Sequence, residues 1–193
     1  MSGEDVLAHP FARALGRVLK EREPKRLCLP GVTPAAVLVA LFEADGEVRV
    51  WLLRRPAGLR THAGQVALPG GKKDTGDATL VDTALREAEE EIGLPKAAVQ
   101  ILGLADEYVT VTRYSVTPVV GWLRAPFSPM PNPAEAARVF SAPFATFRDE
   151  GLIRAIPFEA VRRLVRTYQV DGEVVWGATA AILGSLARLV RIR

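Results

Sequence analysis

Three glutamates at helical spacing, Glu87, Glu90 and Glu91, are the side chains whose types and positions most strongly indicate chemistry. At ~100° of rotation per residue they fall within a sector of roughly 100° on a predicted helix, while the apolar residues cluster on another side. Like charges this close repel one another, at a cost on the order of a few tenths of a kcal/mol per pair. Because Mg²⁺ or Mn²⁺ among the oxygens would remove that repulsion, the spacing indicates a divalent metal site. Glu89 is expected to face solvent, as most residues of a Glu-rich run do.

A glycine turn directly precedes this predicted helix. Leu68-Pro69-Gly70-Gly71 ends a short apolar strand, and two residues without side chains let the backbone approach a metal or a phosphate closely. Asp77 is predicted to cap the N-terminus of the helix, and Gly93 followed by Pro95 is predicted to end it. A carboxylate-rich helix behind a glycine turn indicates a metal-assisted phosphoanhydride hydrolase.

Basic side chains bracket the loop that leads into the glycine turn. Guanidinium groups pair with phosphate oxygens through two parallel hydrogen bonds, and any single arginine here could instead be a surface residue or the partner of a nearby carboxylate. As a group they are predicted to bind the phosphates of a substrate, together with Gly71. The basic residues are Arg54, Arg55, Arg60 and His62.

The segment from Gly71 to Leu94 resembles the Nudix box. That pattern is Gly, five residues, Glu, seven residues, and then Arg-Glu-apolar-x-Glu-Glu-x-Gly-apolar. The second half, Arg86 to Leu94, matches at every position. In the first half Asp77 stands in place of Glu, and eight residues rather than seven separate it from Arg86.

The residues upstream of the box are similar to the signature of coenzyme A pyrophosphatases, a branch of the family that shows the same one-residue insertion. Pro56 stands where the signature usually has Ser or Ala, and Leu68 stands where it usually has Phe. Similar segments at 116–121, 132–135 and 176–180 extend the resemblance over about residues 35–190. The upstream positions in register are Arg55, Arg60, Gly64, Val66, Pro69, Gly70, Gly71 and Asp74.

The resemblance implies a Nudix-type α/β enzyme that hydrolyses the pyrophosphate bond of coenzyme A or its derivatives to 3′,5′-ADP and 4′-phosphopantetheine. It implies that Glu87, Glu90, Glu91 and the Gly70 carbonyl hold Mg²⁺ or Mn²⁺, which polarises the pyrophosphate and lowers the pKa of a bound water. Two other functions stay open. One is the hydrolysis of another nucleoside diphosphate derivative, such as ADP-ribose or NADH; the other is a catalytically silent nucleotide-binding module, against which the intact glutamates argue.

Two further residues receive roles from the resemblance. Arg86 is expected to position a metal-binding glutamate rather than to touch substrate, either through Glu90 one turn ahead or, alternatively, as an ion-pair partner of Asp82. The general base is Glu87 or a carboxylate of a later loop, with Glu135 as the first candidate and Glu107 as the second. The alternative for Glu135 is a place at the N-terminus of a helix over 136–140.

Composition agrees with an enzyme of this kind. A chain of 193 residues suits one domain, in which 1–30 form an N-terminal helix and linker and 31–193 form the Nudix fold. A net charge of +3 favours anionic small-molecule ligands, but is too mild and scattered for a nucleic-acid binder. No stretch is long and apolar enough for a membrane helix. Acidic residues stand near the N-terminus where a signal peptide would carry positive charge, so a cytoplasmic location is expected. Cys28 is expected to be a packing residue, and whether the chain forms a homodimer is left open.

Periodicity predicts the elements around the site. A helix is expected over residues 10–22, and a hairpin over 35–42 and 48–53 turns at Asp45-Gly46. Further strands are expected over 99–105 and 108–123, and a second hairpin turns at Asp171-Gly172 before a final helix from about 178 to 190. Strands flanked by helices on both sides predict an α/β/α sandwich with a mixed sheet. Within it, four aromatic residues fit either the walls of a substrate site or the core: Tyr108, Tyr114, Phe140 and Trp176.

Overall fold

The computed structural model describes residues 9–59, 61–149, 151–158 and 161–190. The helices in this part of the chain are α1 (Pro10–Glu21), α2 (Leu80–Ile92) and α3 (Gly177–Ala187), with short 3₁₀ turns at Lys96–Ala98 and Phe144–Arg148. The strands are β1 (Thr33–Ala44), β2 (Glu47–Arg54), β3 (Val66–Ala67), β4 (Gly70–Lys72), β5 (Val99–Leu104), β6 (Tyr108–Val109), β7 (Tyr114–Leu123), β8 (Arg138–Pro143), β9 (Leu152–Phe158), β10 (Val161–Val170) and β11 (Glu173–Val175).

The main sheet is mixed, and its centre is the parallel pair of β1 and β7. The order β3-β2-β1-β7-β5 forms the sheet, to which β8 adds beside β2, β4 beside β1 and β6 beside β7. All pairings in it other than β1 with β7 are antiparallel. A separate antiparallel sheet has the order β11-β10-β9.

Two apolar cores cover the two faces of the main sheet, because alternate residues of β1 point to opposite sides. Val39 faces the core that includes Leu15 of α1 and Leu183 of α3. Its neighbour Leu38 faces the core that includes Ala88 of α2. The predicted α/β/α sandwich with a mixed sheet is confirmed.

Most of the predicted elements near the site are present. The hairpin of β1 and β2 pairs Ala44 with Glu47, and that of β10 and β11 pairs Val170 with Glu173, as the two Asp-Gly turns predict. The final helix ends earlier than predicted, at Ala187. Among the described residues no helix combines the length and the apolar character needed to cross a bilayer.

One alternative, a helix over 136–140, is excluded, and one local prediction, the packing of Cys28, is wrong. Residues 138–143 form a strand instead of a helix, because Phe140 and Ala142 alternate into the core while the backbone pairs with β2. Cys28 is exposed instead of packed. The linker around it runs over the surface, where the Leu27 N–H donates to Glu107 at 2.7 Å.

Candidate active site

Helix α2 is fixed at both ends by its own sequence. Thr79 is the N-cap: its hydroxyl accepts from the Asp82 N–H at 3.2 Å, while the Asp82 carboxylate accepts from the Thr79 N–H at 2.8 Å. This reciprocal capping box satisfies two amides that a helix start leaves unpaired. Gly93 ends the helix in the left-handed conformation, at φ 72°, as predicted. The prediction that Asp77 is the cap is wrong.

Asp77 instead anchors Arg86. Its buried carboxylate accepts from Arg86 Nε at 3.0 Å and from a terminal guanidinium nitrogen at 3.1 Å. The Thr83 hydroxyl and the Asp74 N–H also donate to it, each at 2.9 Å. The Arg86 guanidinium is the main reason that the pKa of Asp77 lies well below its usual range, and Asp77 in turn raises the pKa of Arg86. The pair is therefore ionised throughout the neutral range.

Arg86 extends from this anchor to two of the predicted metal ligands. Its guanidinium lies 3.0 Å from Glu87 Oε1 and 2.8 Å from Glu90 Oε2. Among the described residues Arg86 has no ion pair with Asp82, whose carboxylate belongs to the capping box. Glu90 is half exposed and Glu87 is largely buried, so the two carboxylates lie on different sides of the guanidinium. Arg86 thereby holds both carboxylates in place.

Glu91 is the most buried of the three glutamates, with 3% of its surface exposed. Its Oε2 accepts from the Gly70 N–H at 2.9 Å, and Arg55 lies 3.7 Å from its Oε1. Burial raises the pKa of Glu91 from 4.5 to about 8; the charges of Glu87 and Glu135 add to the rise, while the Gly70 amide and Arg55 oppose it. Burial also raises the pKa of Glu87, against the effect of Arg86. Both carboxylates therefore lack enough positive charge nearby in the protein alone.

The two glycines of the turn allow this close packing. A Cβ on Gly71 would lie 2.4 Å from Glu87 Oε1, and a Cβ on Gly70 would lie 2.4 Å from the Ala36 carbonyl oxygen. Any other residue at position 70 would collide with the backbone of β1. Any other residue at position 71 would displace the Glu87 carboxylate. The close approach that the sequence predicts at this glycine turn is therefore present, and Gly71 packs directly against Glu87, a predicted metal ligand.

Glu135 reaches the same cluster from a distant segment. The Asn132 N–H donates to the Glu91 carbonyl at 2.9 Å, and the Asn132 carbonyl accepts from the Glu135 and Ala136 N–H groups at 3.0 and 2.8 Å. The charge of Glu135 raises the pKa of both Glu87 and Glu91, so its carboxylate lies near theirs. Its Oε2 is buried and has no hydrogen-bond partner among the described residues.

The other candidate base, Glu107, is used elsewhere. Besides the Leu27 amide, its carboxylate accepts from the Ser115 and Thr117 hydroxyls, each at 3.4 Å. These contacts join the linker after α1 to strand β7. Glu107 is therefore a structural residue at this position in the fold.

The donor set fits a hard divalent cation. Within the described part of the chain no three His, Cys, Asp or Glu side chains already converge on one point, because Arg86 lies between Glu87 and Glu90. The chemistry is nevertheless that of an Mg²⁺ or Mn²⁺ site. It combines oxygen ligands, a buried carboxylate of raised pKa, an unpartnered carboxylate oxygen on Glu135 and a glycine that leaves room beside Glu87.

A cleft of about 450 Å³ adjoins the carboxylates at Gly70 and Gly71. Three basic side chains line it, namely Arg55, His62 and Lys72. Arg55 Nε is buried and has no hydrogen-bond partner among the described residues. The rest of the wall is mainly apolar and comes from β1, β3, β7, α3 and the loop after β6. It includes Leu68, Tyr108, Val111, Tyr114, Val116, Trp176 and Ile182.

The predicted phosphate-binding residues separate into three groups. Arg55, His62 and Gly71 line the cleft. Arg54 does not line it, because its guanidinium lies 3.6 Å from Glu173 of β11. Adjacent residues of an extended segment point to opposite sides, so Arg54 and Arg55 reach different partners. Arg60 lies outside the described residues. Lys72 is a basic residue of the cleft that sequence reasoning missed, although it directly follows the glycine turn.

The aromatic candidates also differ from one another. Phe140 is buried in the core, with 5% of its surface exposed. Tyr108, Tyr114 and Trp176 line the cleft.

Sequence comparison gives the family. The NUDIX domain family matches residues 32–151, more than half of the chain. The chain belongs to the Nudix family. The predicted class of enzyme, a Nudix hydrolase, is confirmed by its relatives.

Nudix hydrolase 22 of Arabidopsis thaliana, a chloroplastic protein, is 42% identical over 165 residues, which cover 81% of this chain and 55% of that protein. The Nudix hydrolase NudL of Pectobacterium atrosepticum is 42% identical over 161 residues, 79% of this chain and 80% of the relative. The chain thus spans about half the length of the plant protein and most of NudL.

Solved Nudix structures share the fold. A Nudix hydrolase from Alicyclobacillus acidocaldarius has a TM-score of 0.52 at 20% identity, covering 83% of this chain and 93% of its own. RenU, a Nudix hydrolase from M. smegmatis, has a TM-score of 0.50 at 26% identity, covering 58% of this chain and 71% of its own. The matched NUDIX region contains the carboxylates and the basic side chains of the cleft. Helix α3 and strand β10, which close the cleft, follow that region.

Proposed function

We propose that this Nudix hydrolase splits the diphosphate of coenzyme A or a derivative into 3′,5′-ADP and 4′-phosphopantetheine. The observation that carries the proposal is the cleft itself. Glu91 and Glu87 pack against Gly70 and Gly71. These two glycines line the cleft together with three basic side chains and a mostly apolar wall. That combination suits a ligand with a diphosphate between a nucleotide and a flexible, weakly polar arm. The similarity to the coenzyme A pyrophosphatase signature supports the same substrate.

The glutamates of α2 are proposed to hold the cation. Glu87, Glu90, Glu91 and the Gly70 carbonyl would bind Mg²⁺ or Mn²⁺. Such an ion supplies Lewis acidity to the diphosphate and makes bound water more acidic. Arg86 would exchange its contacts with Glu87 and Glu90 for those with the ligand shell while Asp77 keeps it in position.

Proton transfer is proposed for Glu135. Its buried Oε2 has no partner among the described residues, and the carboxylate lies near Glu87 and Glu91. An unpartnered carboxylate oxygen beside these glutamates is available to accept a proton from the attacking water. Glu87 is the alternative base within the helix, and its carboxylate is already in contact with the Arg86 guanidinium.

Arg55, His62 and Lys72 are proposed to bind the diphosphate, and Arg60 of the same loop is proposed to join them. Hydrogen bonds within the loop bring Arg55 and His62 together through Gln65. The Arg55 N–H donates to the Gln65 carbonyl at 2.9 Å, and the His62 ring lies 3.0 Å from the Gln65 side chain. Leu68 forms part of the cleft wall. The exchange of Phe for Leu at this position therefore touches the substrate region directly.

The test is product chromatography of the purified protein with Mg²⁺ or Mn²⁺ and four substrates side by side: coenzyme A, ADP-ribose, NADH and a nucleoside triphosphate. Selective release of 3′,5′-ADP from coenzyme A supports the proposal. Preferred cleavage of ADP-ribose or NADH would refute the substrate and keep the chemistry. If no substrate is cleaved while nucleotides still bind, the protein is a silent nucleotide-binding module.

A further inference from the structure

A second cavity of about 480 Å³ lies on the other side of the aromatic wall of the cleft. Tyr108, Val165 and Gly177 line both spaces. None of the carboxylates of α2 lines this cavity. It is therefore a neighbour of the proposed active site rather than a part of it.

Three arginines line this second cavity, and they come from three different elements. Arg148 ends the 3₁₀ turn after β8, Arg166 lies on β10 and Arg188 follows α3. Among the described residues Asp149 is the one acidic side chain of the lining, so guanidinium groups there outnumber carboxylates by three to one. Guanidinium groups bind phosphate through paired charge-assisted hydrogen bonds.

Two of these arginines have no ion-pair partner among the described residues. Neither Arg148 nor Arg188 has a carboxylate within ion-pair distance there, and Arg148 Nε is buried without a hydrogen-bond partner in the same part of the chain. A buried donor without a partner costs stability unless a ligand satisfies it. The orphaned Arg148 donor therefore points to an anion that this cavity takes up.

The helix that forms one wall leaves room for such a ligand. Gly177, Ala180, Ala181 and Gly184 line the cavity at helical spacing and carry almost no side chain. A Cβ on Gly184 would lie 2.8 Å from the Tyr168 hydroxyl and 3.3 Å from an Arg188 guanidinium nitrogen. The glycine thus allows Tyr168 and Arg188 to lie across the helix at the far end of the cavity.

We propose that this arginine cavity binds a second phosphate of the substrate, one that is separate from the diphosphate being cleaved. The inference rests on the proposed function, in which the diphosphate lies at Gly70 and Gly71. The Arg188 guanidinium lies beside Gly184, and from Gly177, at the shared wall, to Gly184 the helix rises by ~10 Å. Arg188 therefore contacts a different part of the substrate from that bound by Arg55. The substrate class is a nucleoside diphosphate derivative with an additional phosphate on its ribose, of which coenzyme A is an example.

The test compares coenzyme A with 3′-dephospho-coenzyme A, which differs only by the additional phosphate. The wild type is expected to prefer coenzyme A by at least about tenfold in kcat/KM, through KM, since one charge-assisted contact has about that value. Arg188→Gln and Arg148→Gln should each bring the ratio of the two kcat/KM values towards one, and Arg188→Lys should keep part of it. Arg17→Gln, at an exposed position of α1, is the matched control and should keep the full ratio.

Arg188 is exposed, so its substitution should not prevent folding. Arg148 is partly buried, and the thermal unfolding of its variant shows whether the fold is kept. Equal kcat/KM values of the wild type for both substrates would overturn the inference and leave the proposed hydrolase function standing. So would a preference that survives in Arg188→Gln.

If neither substrate is cleaved, the proposed function fails and a binding measurement decides the inference alone. Calorimetry with 3′,5′-ADP and with 5′-AMP gives the contribution of the additional phosphate to affinity in the wild type and in Arg188→Gln. Tighter binding of 3′,5′-ADP that is lost in the variant supports the arginine cavity. Equal affinities in the wild type, or a difference that Arg188→Gln keeps, would overturn it.

Discussion

Replacing Asp77 by asparagine should destabilise the metal-free protein by about 2–3 kcal/mol. Asp77 is 8% exposed and accepts four hydrogen bonds, two of them from the Arg86 guanidinium. Removing one partner of a buried ion pair typically costs about 3–5 kcal/mol, because the other charge is left uncompensated. We expect less here, since the Arg86 side chain is 23% exposed and keeps Glu87 and Glu90.

The assay is urea unfolding at pH 7 without divalent cations, supported by thermal unfolding. For a domain of this size the expected loss corresponds to a decrease in Tm of about 5–8 °C. Asp45→Asn is the matched control, because Asp45 is exposed in a tight turn with φ 53°, where asparagine is well tolerated. The control should remain within about 0.5 kcal/mol of the wild type.

The pH dependence of the free energy of unfolding tests whether the charge of Asp77 stabilises the fold. The pKa of Asp77 is lowered from 3.8 in the folded protein, so its stabilisation is present above pH 3.8 and is lost as the pH falls through the lower, native value. The gap between wild type and Asp77→Asn should therefore close in acid. A gap below about 0.5 kcal/mol at pH 7, or losses for Asp77→Asn and Arg86→Gln that simply add in the double variant, would refute the anchoring role.

Three further predictions concern the carboxylates and the glycine turn. Glu91→Gln should lower kcat by at least about a hundredfold at fixed Mg²⁺ with the fold intact, whereas Glu89→Gln, at an exposed position, should not; equal rates for Glu91→Gln and wild type would exclude Glu91 as a metal ligand. Gly71→Ala should lower kcat because its Cβ displaces the Glu87 carboxylate, while Gly76→Ala, with open space around its Cβ, should match wild type in both kcat and Tm. Burial raises the pKa of Glu91 from 4.5 to about 8, so metal-free stability should decline as the pH rises from 4.5 to 8, and the Glu91→Gln variant should show a flatter profile in urea titrations across that range.

The sequence was most informative where spacing along one element decides the geometry. The interval of four residues from Glu87 to Glu91 and the glycine that follows α2 predict a helix with carboxylates on one side and an end at Gly93. The start of α2 was predictable in the same way but was assigned to the wrong residue. Thr79 and Asp82 already have the spacing of a capping box, which frees Asp77 for Arg86.

Contacts between distant segments were beyond sequence reasoning. Arg54 and Arg55 are neighbours in the chain, yet one pairs with Glu173 on β11 and the other with Glu91 on α2. Only the pairing of β2 in the sheet decides which arginine faces the cleft. For the same reason the sequence could rank Glu135 ahead of Glu107 as a loop carboxylate only by resemblance. Their positions depend on what the linker after α1 and the turn at Asn132 contact.

The balance of charge makes this cluster suited to the divalent cation that we propose for it. Five carboxylates, those of Asp77 and the four glutamates at 87, 90, 91 and 135, face two guanidinium groups, Arg55 and Arg86. Asp77 binds the Arg86 guanidinium most strongly, so the remaining carboxylates share little positive charge. Glu91 is the most buried of these, and its raised pKa favours the protonated carboxyl in the metal-free protein. A divalent cation supplies the missing charge without protonating a ligand. The same burial that destabilises the ionised carboxylate in the metal-free protein would strengthen its attraction to a bound Mg²⁺.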